Sequence, residues 1–202
     1  MLLHSFYLHF RFYALKLAVM EKTLVLLKPD AVKRGIMGEI IHRFERMGLR
    51  IAAMKMVQAD RKLLDKHYAT DKTSTLERIG GKTIDTYKKY GKDVKKEFGT
   101  ETAEKVGKVV VGWLLDFMTS TPVVAMVVEG RHAVDNVVAL AGSTMPVGAA
   151  PGTIRGDFST DSAAYANEEK RAVTNLIHIS ATREEAEFEI GLWFTPSEIH
   201  NY

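Results

Sequence analysis

His178 lies in NLIHIS, Asn175 to Ser180, a short run of apolar and β-branched residues. An imidazole is a competent nucleophile when one ring nitrogen is unprotonated and an acceptor holds the other, so its neighbours decide what it does. Upstream, PGTIRGDF at Pro151 to Phe158 sets Arg155 among glycines. A guanidinium is always charged and its fork matches phosphate oxygens, while glycine lets backbone approach such a ligand closely. KPDAVKRGIMGEI, Lys28 to Ile40, places Lys28 where an apolar run ends and a turn begins. Alone, such a lysine simply reaches water, and a lone histidine in an apolar strand is more often structural than catalytic. Together the three segments describe one kind of site, a histidine able to carry a phosphoryl group.

A scaffold must bring these segments together. Thr23 to Leu27 is a short apolar run ending at Lys28-Pro29, where proline stops a strand. Ile36, Ile40, Ile41, Phe44 and Met47 recur at helical spacing before Gly48, which predicts an amphipathic helix. Ile51 to Ala59 reads as a second strand, Arg61 to Thr119 as mostly helical, and Pro122 to Glu129 as a buried, valine-rich strand. Ala133 to Leu140 is a short helix. Six of the twenty residues from Gly142 to Asp161 are glycine or proline, which marks a long shaped loop. Asn167 to Ala172 is expected to be helical, Val173 to Ile179 a strand and Arg183 to Ile190 a helix. The result is an α+β fold with a four-stranded, mostly antiparallel sheet and helices on one side of it. Perfect strand alternation would send Asn175 and His178 to opposite faces, so a shared site requires irregular backbone at the start of that strand.

The motifs LLKPDAVKRGIMGEII, VVAMVVEG, PGTIRGDF, NLIH and EIGLWF, in this order from Thr23 to about Phe194, resemble those of nucleoside diphosphate kinases. The resemblance implies a ferredoxin-like fold and transfer of the terminal phosphoryl of ATP or another nucleoside triphosphate to a nucleoside diphosphate. Transfer would pass through phospho-His178 in two half-reactions. By the same resemblance Glu189 orients the histidine through its far nitrogen. Lys28, Arg155 and Thr144 contact the phosphates, Asn175 binds sugar or phosphate, and Tyr68 in DKHYATDK lies near the phosphates. Magnesium is implied through the nucleotide phosphates, since it commonly binds with few protein ligands. A closed homo-oligomer, hexamer or tetramer, is implied as well.

Several positions depart from that pattern. Pro122 follows Tyr68 by 54 positions, where the short form of the family has roughly twenty. The extra segment, about 71–108, contains KTIDTYKKYGKDVKKEFG, whose mixed charge reads first as a wet helical hairpin. A second extension, DSAAYANEEKRA, precedes His178. Val138 stands where the family has a second phosphate-binding arginine, and Val110 stands near the position of the aromatic on which the base stacks. Lys82, Lys88, Lys89 and Lys92 are candidate replacements for the missing cation. A non-catalytic or weakly active nucleotide-binding protein of the same fold is therefore the alternative.

Composition bounds the rest. At 202 residues and 46% apolar content, the chain suits one packed domain, taken as 20–202. Residues 1–19 contain no acid and interrupt their apolar run with Arg11 and Lys16, which supports an extension outside the fold better than a spanning helix. The net charge of +3 is too small to argue for nucleic acid, and VVAMVVEG lacks the aromatics of an RNA-binding sheet. No cysteine occurs, so disulfides and cysteine metal sites are excluded, and a cytoplasmic location fits. No metal-ligand spacing, Walker loop or GxGxxG stands out, so phosphate binding falls to side chains.

Overall fold

The computed structural model describes residues 20–202, and the extension 1–19 lies outside the described residues. Four strands form one sheet in the order β2-β3-β1-β4, comprising β1 (Glu21–Leu27), β2 (Arg50–Val57), β3 (Val123–Gly130) and β4 (Ile177–Ile179). Every pair is antiparallel. All eight residues of β3 are buried, as is β1 from Thr23 onward, and burial on both sides is why these strands read as continuous apolar runs.

The helices cover both faces, not one as expected. Leu24, Leu26, Ala125 and Val127 pack against Leu64 of α3 (Arg61–Tyr68), Met118 of α6 (Ala103–Thr119) and Trp193 of α10 (Arg183–Trp193). On the opposite face Val25, Leu27, Val124 and Met126 pack against Ile40 and Phe44 of α2 (Met37–Arg46) and Val137 of α7 (Ala133–Ala141). The period-2 geometry of the strands divides these residues between two cores, and each needs its own cover.

The long helical region resolves into α3, α4 (Thr73–Lys89), α5 (Val94–Phe98) and α6. Helices α4 and α6 cross at backbone contact. A Cβ added to Gly80 would lie 1.8 Å from the Ala103 carbonyl oxygen, and one on Gly107 would lie 2.0 Å from that of Leu76. Tyr87, Val94 and Val106 form a small core of their own at the far end. There the hairpin meets α9 (Ala163–Glu168): the Tyr87 hydroxyl donates to the Asn167 carbonyl at 3.3 Å, and Lys92 pairs with Glu168 at 3.0 Å.

Two boundaries differ from the sequence expectation. The helix placed at Asn167 to Ala172 lies earlier, because Ser162 caps it by accepting the Tyr165 N–H, and the chain turns out at Lys170 with φ +53°. The strand placed at Val173 to Ile179 is confined to Ile177–Ile179. The Asp161 carboxylate takes both the N–H and the hydroxyl of Thr174, which diverts that residue from the sheet ladder. The loop between α7 and α9 also contains short α8 (Ile154–Phe158), capped by the Thr153 hydroxyl.

Candidate active site

His178 sits at the middle of β4, opposite Leu26 of β1. Just before it the backbone is irregular, as the shared site requires. Leu176 has φ +70°, and the Ile177 N–H donates to the Asn175 carbonyl at 2.8 Å. The positive φ and the i to i+2 bond identify the rarer, strained γ-turn. A leucine held this way costs ~1–3 kcal/mol, which surrounding contacts must offset. Two short bonds hold it: the Asp30 carboxylate accepts the Leu176 N–H at 2.9 Å, and the Lys28 N–H donates to the Leu176 carbonyl at 2.8 Å.

The turn changes which way side chains point. Asn175 now faces Lys28, whose Nζ donates to Asn175 Oδ1 at 2.7 Å, while Asn175 Nδ2 donates to the Thr144 carbonyl at 3.0 Å. The Thr144 side chain is exposed. Burial lowers the Lys28 ammonium to about 8, against the raising influence of Asp30. Arg155, 5% exposed, donates from Nε to the Asn175 carbonyl at 3.3 Å, from Nη2 to that of Ile177 at 2.9 Å and from Nη1 to that of Gly142 at 2.7 Å. It laces the shaped loop to both sides of the γ-turn. These bonds use three of the five N–H groups of the guanidinium. Burial brings Arg155 down to about 10, still a cation at neutral pH.

Both Glu189 oxygens lie 2.9 Å from His178 Nε2, and the buried Ser180 hydroxyl donates to Glu189 Oε2 at 2.6 Å. Burial, reinforced by Lys28 and Arg155, pushes the His178 imidazole down to about 3, so it is neutral at physiological pH. Burial also raises the Glu189 carboxyl above its usual range. A carboxylate on Nε2 fixes the ring proton there and leaves the lone pair on Nδ1.

A second histidine, which sequence reasoning missed, completes the centre. The side chain of His67 is fully buried, its ring centroid 4.3 Å from that of His178. Trp193 Nε1 donates to His67 Nδ1 at 3.3 Å, and the same nitrogen lies 3.6 Å from Glu189 Oε1. Burial, then His178, lowers its imidazole to about 3. The signal was adjacent, since His67 precedes Tyr68 in the chain. Ser180 was missed inside the NLIHIS run itself. The Tyr68 ring stands edge-on to both histidines, at 4.6 Å from His67 and 5.9 Å from His178. Burial raises its phenol.

His67, His178 and Glu189 bring ligand-capable atoms within 4.8 Å of one another. Lys28 and Arg155 bring positive charge to the same histidine, which opposes a dication, and the Nε2–carboxylate bond already occupies two of the donors. The cluster is built as a hydrogen-bonded support for an imidazole.

The substituted positions are also placed. Val138 is 38% exposed on α7, one turn before Gly142, whose carbonyl Arg155 holds. Val110 packs against the Tyr87 core beside Phe98, whose ring lies 5.9 Å from that of Trp113. Lys92 is engaged with Glu168, and the Lys89 ammonium lies 5.7 Å from the Tyr90 ring centre. The cations whose charge depresses His178 are Lys28 and Arg155.

An α+β sheet presenting a half-buried, neutral, carboxylate-held imidazole beside two cations is the site of a phosphotransferase. The family profile described as nucleoside diphosphate kinase matches residues 21–79 and 89–199, and the break falls within α4. A nucleoside diphosphate kinase of Pyrobaculum aerophilum is 46% identical over 179 residues, covering 89% of this chain and 97% of the relative. One of Borreliella burgdorferi is 36% identical over 184 residues, covering 91% and 93%. The solved structure of an NDP kinase from Pyrobaculum aerophilum superposes with a TM-score of 0.87 at 44% identity, covering 91% of this chain and 100% of that one. A nucleoside diphosphate kinase from Borrelia burgdorferi, solved as a transition state mimic with bound vanadate and ADP, gives 0.71 at 37% identity, covering 91% and 92%. The chain belongs to the nucleoside diphosphate kinase family.

Proposed function

We propose that this enzyme moves the terminal phosphoryl group of ATP, or another nucleoside triphosphate, to a nucleoside diphosphate through phospho-His178. In the first half-reaction the Nδ1 lone pair attacks the terminal phosphorus and the bond to the bridging oxygen breaks, releasing the diphosphate. The second half-reaction is the reverse, with the terminal oxygen of a different diphosphate as nucleophile. The observation that carries this reading is the Glu189 carboxylate on Nε2, since it fixes the tautomer and stabilises charge that develops on the ring. Lys28 and Arg155 would hold the transferred group, where charge spreads over three equatorial oxygens. Thr144, Asn175 and Tyr68 would complete the nucleotide contacts.

Magnesium, carried on the nucleotide phosphates, would neutralise their charge. The residues fit an ion held through phosphate, because Glu189 is engaged by His178 and Ser180, and Asp30 is buried with one oxygen held by the Leu176 amide.

A homo-oligomer, hexameric or tetrameric, is part of the proposal. It is supported by β2, an edge strand that exposes Met54 and Met56, both 57% accessible, an apolar edge suited to a second copy. Residues 20–202 would form one domain with 71–108 as its insertion. A cytoplasmic location rests on the cysteine-free composition, and no helix among the described residues is long and apolar enough to cross a membrane. Val138 favours a second reading, nucleotide binding with weak transfer. Exposure to γ-labelled ATP, followed by GDP, separates the two. Acid-labile label on His178 that GDP discharges supports transfer, and bound nucleotide without labelled protein supports the alternative.

A further inference from the structure

We propose that Asp30 is a positioning residue for phosphoryl transfer, holding the strained Leu176 turn that brings Asn175 and His178 into one site. The inference rests on the phosphohistidine reading and extends it to a residue outside the set of nucleotide contacts.

Asp30 is the second residue of α1 (Pro29–Lys33) and is 9% exposed. A carboxylate so placed is costlier than an apolar side chain of its size, and it must obtain something from its surroundings. What it obtains is the Leu176 N–H, at Oδ2, while Oδ1 has no hydrogen-bond partner. Its carboxyl is raised by burial and restrained by that amide and by Lys28.

The grip comes from both sides of one peptide segment. Lys28 takes the Leu176 carbonyl with its backbone N–H, Asp30 takes the N–H with its side chain, and Pro29 between them restricts the backbone linking the two. Arg155 takes the carbonyls of the flanking residues, Asn175 and Ile177. Leu176 is fully buried, so its side chain is anchored in the core and the strain must be held by the backbone bonds. Without the Asp30 bond, the peptide can relax toward extended geometry, in which side-chain alternation turns Asn175 away from the face of His178. Reacting groups misplaced by about 1 Å lose roughly 10²-fold in rate.

Geometry and charge can be separated at this position. Asp30→Asn keeps an oxygen acceptor at the same reach and removes the charge, whereas Asp30→Glu keeps the charge and moves the acceptor by one methylene. Rapid-mixing measurement of His178 labelling by ATP, on full-length protein at a temperature where circular dichroism shows every variant folded, reads the effect directly. The asparagine variant should label within about 5-fold of the wild type and the glutamate variant about 10²-fold more slowly. Leu176→Gly in the glutamate background should recover part of the rate, because glycine takes a positive φ without strain. A glutamate variant as fast as the asparagine variant, or faster, overturns the proposal. Wild-type protein that acquires no label on His178 overturns the phosphohistidine reading itself, a result distinct from equal rates in the two variants.

Discussion

The region around His178 and the α4–α6 hairpin are held together by opposite means. Around His178 the backbone is irregular and its polar groups are taken individually by Asp30, Lys28 and Arg155, while Glu189 holds the imidazole itself. In the hairpin two regular helices meet at Gly80 and Gly107, and what matters is the absence of side-chain atoms. One region fixes where charges and lone pairs point, and the other fixes where a wall stands. Damage should differ accordingly: in the first it removes chemistry and leaves the fold, and in the second it removes stability and leaves the chemistry of the folded molecules.

The sharpest test is His178→Ala. Transfer should fall by on the order of 10⁴-fold or more, with the fold retained by circular dichroism, as for the loss of a covalent nucleophile. Glu189→Gln keeps the ring in place but weakens its support, and the labelling rate should drop roughly 10–100-fold. Near-normal turnover of the alanine variant would sink the phosphohistidine mechanism.

The hairpin responds to a single methyl group. Gly107→Ala drives a Cβ into the Leu76 backbone and should cost ~3 kcal/mol or more in thermal or urea unfolding, since backbone must move. Gly81 lies in the same helix as Gly80 with open space around it, so Gly81→Ala should stabilise by ~0.5–1 kcal/mol. At a temperature where all are folded, both variants should label His178 at the wild-type rate. A rate defect in the folded Gly107 variant would show that the hairpin does more than stand beside the site.

Protonation separates the regions further, because two strongly depressed histidines sit at the site. His67 and His178 are lowered to about 3, so between that value and 6.5 the unfolded chain binds protons that the folded one does not. Stability is therefore full above about pH 6.5 and is lost as pH falls through this window, by at most ~1.4 kcal/mol per pH unit for each histidine. Activity should show no acid limb near 6.5, since His178 is already neutral there. It should have an alkaline limb in kcat/KM near pH 8, where Lys28 loses its proton and its hold on phosphate. Lys28→Arg should remove that limb, and a pH profile of the two enzymes checks it.

How much of this was legible depends on which force shapes each residue. Lys28, Arg155 and His178 stand out by chemical type and motif, Asn175 and Glu189 come from the family resemblance, and the structure gathers all five. The alternation argument required irregular backbone before His178 and could say no more. Nothing in the sequence announces that Leu176 takes a positive φ, because the cause is a carboxylate 146 positions away in the chain. His67 was hidden for a similar reason, its part being set by Trp193 and Glu189 across the fold. The hairpin was recognised as helical, but Gly80 and Gly107 look like ordinary weak points in a helix until their opposite backbone is known. Cover on both faces of the sheet is implicit in the continuous apolar runs of β1 and β3, because alternate residues of such a run point to opposite faces.

The smallest expected effects test whether the two regions cooperate electrically. By the family resemblance Val138 stands where a phosphate-binding arginine is expected, and the lysines of the hairpin are the nearest large group of cations in the sequence. Lys92, however, is committed to Glu168, Lys89 lies over Tyr90, and the cations that act on His178 are Lys28 and Arg155. Neutralising Lys82, Lys88 and Lys89 together should therefore leave the nucleotide KM within about 2-fold, the scale of exposed charges screened by water and salt. Val138→Arg should act more strongly than these three, because position 138 is exposed on α7 one turn from the carbonyl that Arg155 grips. A guanidinium there, gaining ~1 kcal/mol from one charged contact, should lower KM about 5-fold with kcat little changed. A several-fold rise in KM on neutralising the lysines would show that the hairpin closes over the bound nucleotide and supplies the missing charge, joining the two regions that the free protein keeps apart.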